Sequence, residues 1–515
     1  MNWQPEVDEI ARRRELAERM GGPEKVARQH AAGRSTVRER IAALVDPGSF
    51  DEIGALAGTA SYVDGSLETF TPANFVIGTA KLDGRRVAIG GDDFTVRGGA
   101  ADAGIMEKQI YAERLAHDLG LPLVRLIEGT GGGGSVKMLE QYGFSYVPAN
   151  PGWDLVVDNL STVPVVALCL GPVAGLGAAR AVMSHLNVLV EGAGQLFVAG
   201  PPVVRHATGE DLTKEELGGA SVHKRSGAVD RIVASEEEAF AVTRRFLSYL
   251  PSSVDSLPPV TSCVDSADRR EESLLSLIPR NRRHPYRLRP LLDGVFDEGS
   301  VFDYGVSGGS AYAGLARLDG HPVGVLATDP FRGGTLTPEG ADVMTRFVDL
   351  CETFHLPLVS LTDQAGMVIG AAAERAGAIR NGARAVTAVY QARIPMAEVI
   401  VRRVFGVGGA GQVNRHRLVR RWAWPSGDWG SLPVEGGIEA AYRAELDAAD
   451  DREARIEEIR ARLDAVRSPF RTAERFSVDD VIDPRETRAR LCDWVPDAYA
   501  VLPKLVGGPS FGMRP

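Results

Sequence analysis

Cysteine is scarce in these 515 residues; only Cys169, Cys263, Cys351 and Cys492 occur. None stands in a Cys-x-x-Cys pair or beside a histidine at zinc-ligand spacing. Neither a disulfide framework nor a metal site is readable, and four indifferent thiols in a reducing cytoplasm are expected. No apolar run reaches the ~18 residues of a membrane span, and the charged opening "MNWQPEVDEIARRRELAERM" lacks the apolar core of a secretory leader. Cationic excess is missing as well. The formal net charge is −10, the wrong sign for a nucleic acid as main partner. A G-x-S-x-G nucleophile elbow is absent. Glycine, by contrast, is plentiful at 58 residues, and its placement carries the rest of the reading.

The stretch "TAKLDGRRVAIGGDDFTVRGGA" (79–100) returns as "LARLDGHPVGVLATDPFRGGTL" (315–336). Each holds a Leu-Asp-Gly turn, an apolar run and an Arg-Gly-Gly ending. "GLPLVRLIEGTGG" (120–132) resembles "HLPLVSLTDQAG" (355–366), with Pro357 standing 235 residues after Pro122 (357 − 122). "STVPVVALCLGPVAGLG" (161–177) resembles "ARIPMAEVIVRRVFGVGG" (392–409), with Pro395 standing 231 after Pro164 (395 − 164). Three segments in one order at nearly constant spacing indicate a duplicated domain. The period is too long for a solenoid array.

Each copy alternates strand, loop and helix, the pattern of an α/β fold with mainly parallel strands. Short β-type runs fill about 50–91. "DAGIMEKQIYAERLAHDLG" reads as a helix with Ile105, Ile110, Leu115 and Leu119 on one side, and "LPLVRLI" and "TVPVVALCL" as buried strands. In the second copy "ADVMTRFVDLCETF", "LPLVSLT" and "MAEVIVRRVF" take the same roles. A Pro-, Ser- and charge-rich stretch at about 251–285 reads as the linker between domains spanning 1–260 and 275–515. The charged run "AAYRAELDAADDREARIEEIRARLDAV" reads as a solvated amphipathic helix.

Four glycine loops follow strands in matching pairs: "EGTGGGGS" (128–135), "GPVAGLGAA" (171–179), "TDQAGMVIG" (362–370) and "GVGGAG" (406–411). Open α/β sheets bind ligands at the carboxyl ends of strands, and glycine lets a backbone N–H approach a ligand closely. Two such groups make an oxyanion hole. "EGTGGGGSVKM" lacks the Gly-Lys-Ser/Thr ending of a phosphate-binding P-loop. "GVGGAG" has no acidic residue at the spacing a dinucleotide ribose needs. Among the nine histidines, His223 in "GGASVHKRSG" is the most interesting, with a satisfied structural role as the plainer reading.

Longer stretches carry a resemblance to a known family. "GGPEKVARQHAAGRSTVRERIAALVDPGSFDEIG", "DDFTVRGGA", "LFVAGPPVVRHATGEDLTKEELGGASVHKRSGAVDRIV", "RFVDLCETFHLPLVSLTD" and "VDDVIDPRETRARL" resemble the carboxyltransferase (β) subunits of biotin-dependent acyl-CoA carboxylases, propionyl-CoA carboxylase among them. The resemblance covers nearly the whole chain. It implies two crotonase-like (ClpP/crotonase) domains in tandem. Domain 1–260 would take the acyl-CoA, and domain 275–515 the carboxybiotin. It also explains the missing side-chain base, because in that mechanism biotin itself takes the α proton. By position in the motifs, Gly131, Gly132, Gly175, Leu176, Gly409 and Ala410 are implied to build the oxyanion holes. Arg97, Gly98, Gly99, Gly366, Gly408, Gly411 and Gln412 are implied to contact the bound groups.

Three departures from the family pattern stand out. The acidic Asp-Ser-Gly-Gly-Ala-Arg loop is "EGTGGGGSV". Pro-Gly has become Ala365-Gly366. Ala-Tyr-Asp has become Ala410-Gly411-Gln412, where loss of the tyrosine is expected to open the acyl pocket. "VKM" (136–138) lacks the first Met of the Met-Lys-Met biotin carrier motif, and no ATP-grasp-sized segment is present. Biotin is therefore expected on a separate α subunit, with a homohexamer whose sites join the first domain of one chain to the second of another. Decarboxylating or transcarboxylating chemistry on the same fold, and a non-catalytic acyl-CoA-binding scaffold, are the alternative readings.

Overall fold

The computed structural model describes residues 2–100, 104–129, 135–145, 147, 149–282, 284–305 and 309–509. The chain divides into two units, Met1–Ser256 and Leu257–Gly507. From Leu257 on, the stretch expected as a linker belongs to the second unit: the Thr261 N–H donates to Gly320 O at 3.1 Å, and Arg488 Nε to Ser266 O at 2.8 Å.

The first unit holds β1 (Asp51–Ile53), the hairpin β2 (Gly58–Val63) and β3 (Ser66–Pro72), then β4 (Phe75–Leu82), β5 (Arg85–Asp92), β6 (Leu123–Gly129), β7 (Val165–Ala174), β8 (Leu186–Val190), β9 (Gln195–Phe197) and β10 (Arg231–Val233). Its main sheet runs β1-β4-β5-β6-β7-β8-β10, with β9 paired to the far end of β7. The second unit holds β11 (Phe302–Asp303), β12 (Ala311–Leu318), β13 (His321–Thr328), β14 (Leu358–Gln364), β15 (Met396–Phe405), β16 (Val419–Ala423), β17 (Asp428–Gly430) and β18 (Asp480–Val481). Its sheet runs β11-β12-β13-β14-β15-β16-β18, with β17 on β15. The two orders are the same. In each, the first two pairings are antiparallel and the rest parallel. The central parallel strands β6, β7 and β14 are buried along all or nearly all of their length, which is why they read as unbroken apolar runs.

The duplication extends to irregularities. The β6/β7 register shifts between Ile127 and Gly129, and the β14/β15 register shifts between Thr362 and Gln364, at the 235-residue offset. Both Leu-Asp-Gly stretches are two-residue hairpin turns with left-handed central residues: Asp83 (φ 51°) and Gly84 (79°), Asp319 (47°) and Gly320 (77°). Each turn is gripped alike. Asp46 accepts the N–H groups of Asp83 and Gly84 at 2.9 and 2.8 Å, and Arg244 reaches it at 3.3 Å. Asp297 accepts those of Asp319 and Gly320 at 2.9 and 2.8 Å, and Arg488 reaches it at 2.9 Å.

Two expectations about helices are corrected. The helix Met106–Leu119 buries Lys108, Ala112, Glu113 and Ala116, while Leu119 is exposed. Small side chains let it lie close over β5, where the Ala112 Cβ would stand 3.2 Å from any side chain added at Gly90. The charged run near the C-terminus (440–466) is not one helix but two, Arg443–Asp447 and Arg452–Asp464, and it begins at the end of a third, Val434–Ala441. The helix Arg452–Asp464 starts where the Asp451 carboxylate accepts the Ala454 N–H at 3.0 Å. Ile438, Leu446 and Ile459 give the three a small core of their own.

Arg488, about 1% exposed, also donates to Asp265 O and Val295 O. Burial raises the Asp297 carboxyl's pKa, but the Gly320 N–H and Arg488 outweigh it and hold it below the usual range. Replacing Arg488 by Ala strands that carboxylate and three carbonyls. We predict a loss of about 3 kcal/mol in denaturant titration, the usual cost of removing one partner of a buried pair.

Candidate active site

At the carboxyl end of β6 and of β14 stands a buried acid, Glu128 (1% exposed) and Asp363 (0%). Each is clamped by two arginines. In the second unit both come from β15: Arg402 Nη2 and Arg403 Nε meet Asp363 at 2.7 and 2.6 Å. In the first unit the residue equivalent to Arg402 is Gly171, and a Cβ there would collide with the Glu128 carboxylate. The arginines instead come from the N-terminal segment. Arg34 and Arg40 reach Glu128 at 2.7 and 2.5 Å, with Gln29 Nε2 at 3.0 Å. Desolvation of the acid is offset in both units, by different parts of the chain.

The loops beside these acids approach with their backbones. Arg97 (φ 52°), Gly98 (66°) and Gly99 (66°) form a left-handed turn after β5. A Cβ on Gly99 would stand 2.6 Å from Glu128 O, so only glycine lets this turn rest on the end of β6. In the second unit Gly333 and Gly334 take the same place. Gly334 O accepts the Ala365 N–H, and Gly366 O accepts the Leu336 N–H, both at 2.9 Å. Gly408 packs on Gly366, where a Cβ would lie 3.1 Å from the Gly366 carbonyl carbon. The structure thus brings together Arg97, Gly98 and Gly99 with the end of β6, and Gly366 with Gly408. Gly131 and Gly132 lie outside the described residues.

Both long central strands end on a left-handed glycine, Gly175 (φ 62°) after β7 and Gly406 (φ 58°) after β15. The helices Leu176–Val182 and Gly406–Ala410 follow. Gly175 spends its N–H on Phe197 O at 3.2 Å. Among the described residues no acceptor meets the N–H groups of Leu176 and Gly177, nor those of Val407 and Gly408. The geometric equivalents of Gly175 and Leu176 are therefore Gly406 and Val407, at the 231-residue offset. Gly409 and Ala410 lie further along the turn, and a Cβ on buried Gly409 would stand 2.9 Å from the Val404 carbonyl carbon. The space expected at Gly411 is filled: a Cβ there would be 2.6 Å from Val386 Cγ2. Gln412 is buried, its Nε2 bound to Gly408 O at 2.9 Å. His223 is structural, with Nε2 at 2.7 Å from Leu196 O and Nδ1 at 2.8 Å from Ser226 Oγ.

One group had no signal in the sequence. Asp92 ends β5 beside the Arg97 turn, and its counterpart in the second unit is Thr328. Asp92 Oδ2 accepts the Glu128 N–H at 3.2 Å. Burial pushes its carboxyl up to about 6, against the opposing pull of Arg180 and that N–H. The folded pKa lies above the ordinary 3.8, so between roughly pH 4 and 6 the folded chain holds a proton that the unfolded chain has released. Stability then falls as pH rises through that window. We predict that Asp92→Asn matches the parent below pH 4 and exceeds it by about 3 kcal/mol at pH 7.5, at ~1.4 kcal/mol per pKa unit. Urea titrations at the two pH values check this.

Residues 28–497 match the carboxyl transferase domain family. The chain is 33% identical over 499 residues to the carboxyltransferase subunit of propionyl-CoA carboxylase from Haloferax mediterranei, covering 95% of each. It is 31% identical over 496 residues to the methylmalonyl-CoA carboxyltransferase 12S subunit of Propionibacterium freudenreichii, covering 94% of this chain and 92% of that one. A transcarboxylase 12S crystal structure with methylmalonyl-coenzyme A bound superposes with a TM-score of 0.87 at 28% identity, covering 97% and 96% of the two chains. The two units share that architecture, two crotonase-like domains in tandem.

Proposed function

Because the chain belongs to the carboxyl transferase family, we propose that it is the carboxyltransferase subunit of a biotin-dependent acyl-CoA carboxylase, moving a carboxyl group from carboxybiotin to the α carbon of an acyl-CoA. The observation that carries this reading is the doubled strand end: a left-handed glycine followed by N–H groups without a described acceptor, at Leu176–Gly177 and again at Val407–Gly408. The reaction develops negative charge on two oxygens, the thioester oxygen of the enolate and the ureido oxygen of biotin. Fixed backbone donors aimed at such oxygens are worth about 3 kcal/mol each.

We assign the acyl-CoA to the first unit and carboxybiotin to the second. Carboxybiotin, when bound, supplies the carboxyl group and the base for the α proton. The chain's part is to hold the two oxygens. The biotin is carried by a separate α subunit, in keeping with the lack of a Met-Lys-Met motif. A crystal structure of the 12S relative is described as a hexamer assembly; we propose a hexamer here too, in the cytoplasm, with each site completed between two chains. Transfer between two acyl compounds is the second reading, favoured by the likeness to the 12S transcarboxylase.

Proline is tolerated in the first helical turn but has no N–H. Leu176→Pro and Val407→Pro should each lower transfer by about 100-fold or more while light scattering still reports the assembly. Leu176→Ala and Val407→Ala, which keep the N–H, should stay within about threefold. Equal loss from the alanine and proline variants would sink the assignment. The chain alone should show no ATP- and bicarbonate-dependent carboxylation; fixation of labelled bicarbonate into acyl-CoA should need an added biotinylated partner. A chain that binds acyl-CoA yet never transfers with such a partner would be a scaffold instead.

A further inference from the structure

The second unit holds a cavity of about 330 Å³ to which five arginines contribute, Arg280, Arg282, Arg402, Arg403 and Arg467. Among the described residues its one lining acid is Asp428. Two of the guanidinium groups have every nitrogen engaged. Arg402 gives Nε and Nη2 to Asp363 and Nη1 to His284 O at 2.9 Å. Arg467 gives Nε and Nη2 to Asp428 and Nη1 to Asp464. The other three keep donors in reserve. Arg282 gives only Nη1, to Asp428 at 2.8 Å, and Arg403 only Nε and Nη2, to Asp363. Arg280 is exposed and meets no acceptor among the described residues. The carboxylates that touch the five are Asp363, Asp428 and Asp464, which leaves two positive charges over (5 − 3) in a chain whose net charge is −10. Leu275, Ile278 and Pro425 make part of the remaining wall apolar.

We infer that this cavity binds a small organic phosphate, with the phosphate group on Arg280, Arg282 and Arg403 and the organic body along Leu275 and Ile278. A phosphate monoester carries about −1.5 to −2 near neutral pH and presents three acceptor oxygens, which matches both the surplus charge and the unspent N–H groups. Planar guanidinium forks are suited to such oxygens, and a lysine in their place would act only as a point charge. Pockets for small organic ligands begin near ~300 Å³, so the room beyond the phosphate suits an organic body. The cavity shares no residue with the turns at Gly175 and Gly406, and its occupancy is separable from the proposed transfer reaction.

Calorimetric titration of the full chain with phenyl phosphate at about pH 8, where it is a dianion, is the test. Phenyl sulfate, a monoanion of the same shape, and inorganic phosphate are the comparisons. Phenyl phosphate should bind saturably and more tightly than either. A charge-assisted contact is worth about tenfold or more in binding. Arg280→Ala with Arg282→Ala should therefore weaken phenyl phosphate at least tenfold. Arg205→Ala with Lys224→Ala, an equal charge loss at exposed positions of the first unit, should not. Absence of saturable binding, phenyl sulfate or inorganic phosphate binding as tightly, a smaller loss from the arginine pair, or an equal loss from the two double variants would each overturn the inference. If the arginine pair fails to fold when replaced, Arg280→Glu, at a side chain without a partner among the described residues, gives the same readout. Saturating coenzyme A distinguishes the source of the phosphate. Phenyl phosphate binding that persists shows a separate ligand, and displacement assigns the cavity to the phosphates of coenzyme A itself; both results keep the site.

Discussion

Each half of this chain is organised around a carboxylate that has been taken out of water at the end of a strand and held there by two guanidinium groups. Removing such an acid from solvent is costly, and the cost is offset only while its partners stay in place. Glu128 and Asp363 therefore fix more than themselves. They stand one residue before β6 and β14 end, where the glycine loops leave the sheet. The left-handed turn at Gly99 rests on the carbonyl of Glu128 itself, and in the second unit Gly334 lies against Arg403. Backbone geometry at the site is thus inherited from charge pairing just beneath it.

The proposed oxyanion donors are backbone groups and need little side-chain chemistry above that foundation. The N–H groups of Leu176, Gly177, Val407 and Gly408 do not titrate and do not rotate. Their directions follow from one positive-φ glycine at each strand end. Glycine is costly in unfolded-chain entropy, but it takes a positive φ without the steric penalty of a Cβ. Abundant glycine and the absence of a recognisable catalytic nucleophile are two sides of one arrangement.

Much of this was legible in the sequence. Strand and loop positions came from the repeated apolar runs, and the offsets of 235 and 231 recur in the observed bulge registers. The family resemblance also held. Gly175 and Gly409 were both read from motif position; Gly175 stands directly after β7, and the residue at the matching place after β15 is Gly406, three residues before Gly409. The motif contains four glycines in six residues, and composition alone does not say which adopts positive φ. Asp92 gave no signal because its perturbation arises from tertiary burial beside Glu128 and Arg180. The residues that the helix Met106–Leu119 buries gave no periodic signal for a related reason. Hydrophobic periodicity finds large apolar residues, whereas close packing there selects Ala112 and Ala116.

The exchange of Arg402 for Gly171 also bears on how the two halves reach their folded state. In the second half the clamp closes between residues 39 and 40 apart. In the first it closes across 88 to 99 residues. Chain-closure entropy grows with the logarithm of loop length, so the longer loop costs about 0.6 kcal/mol more, and the larger effect is on contact order and hence folding speed. Synthesis runs in the helpful direction, since Gln29, Arg34 and Arg40 leave the ribosome before Glu128 does. The acid meets partners that are already waiting, and a chain begun after residue 40 would have to bury it alone.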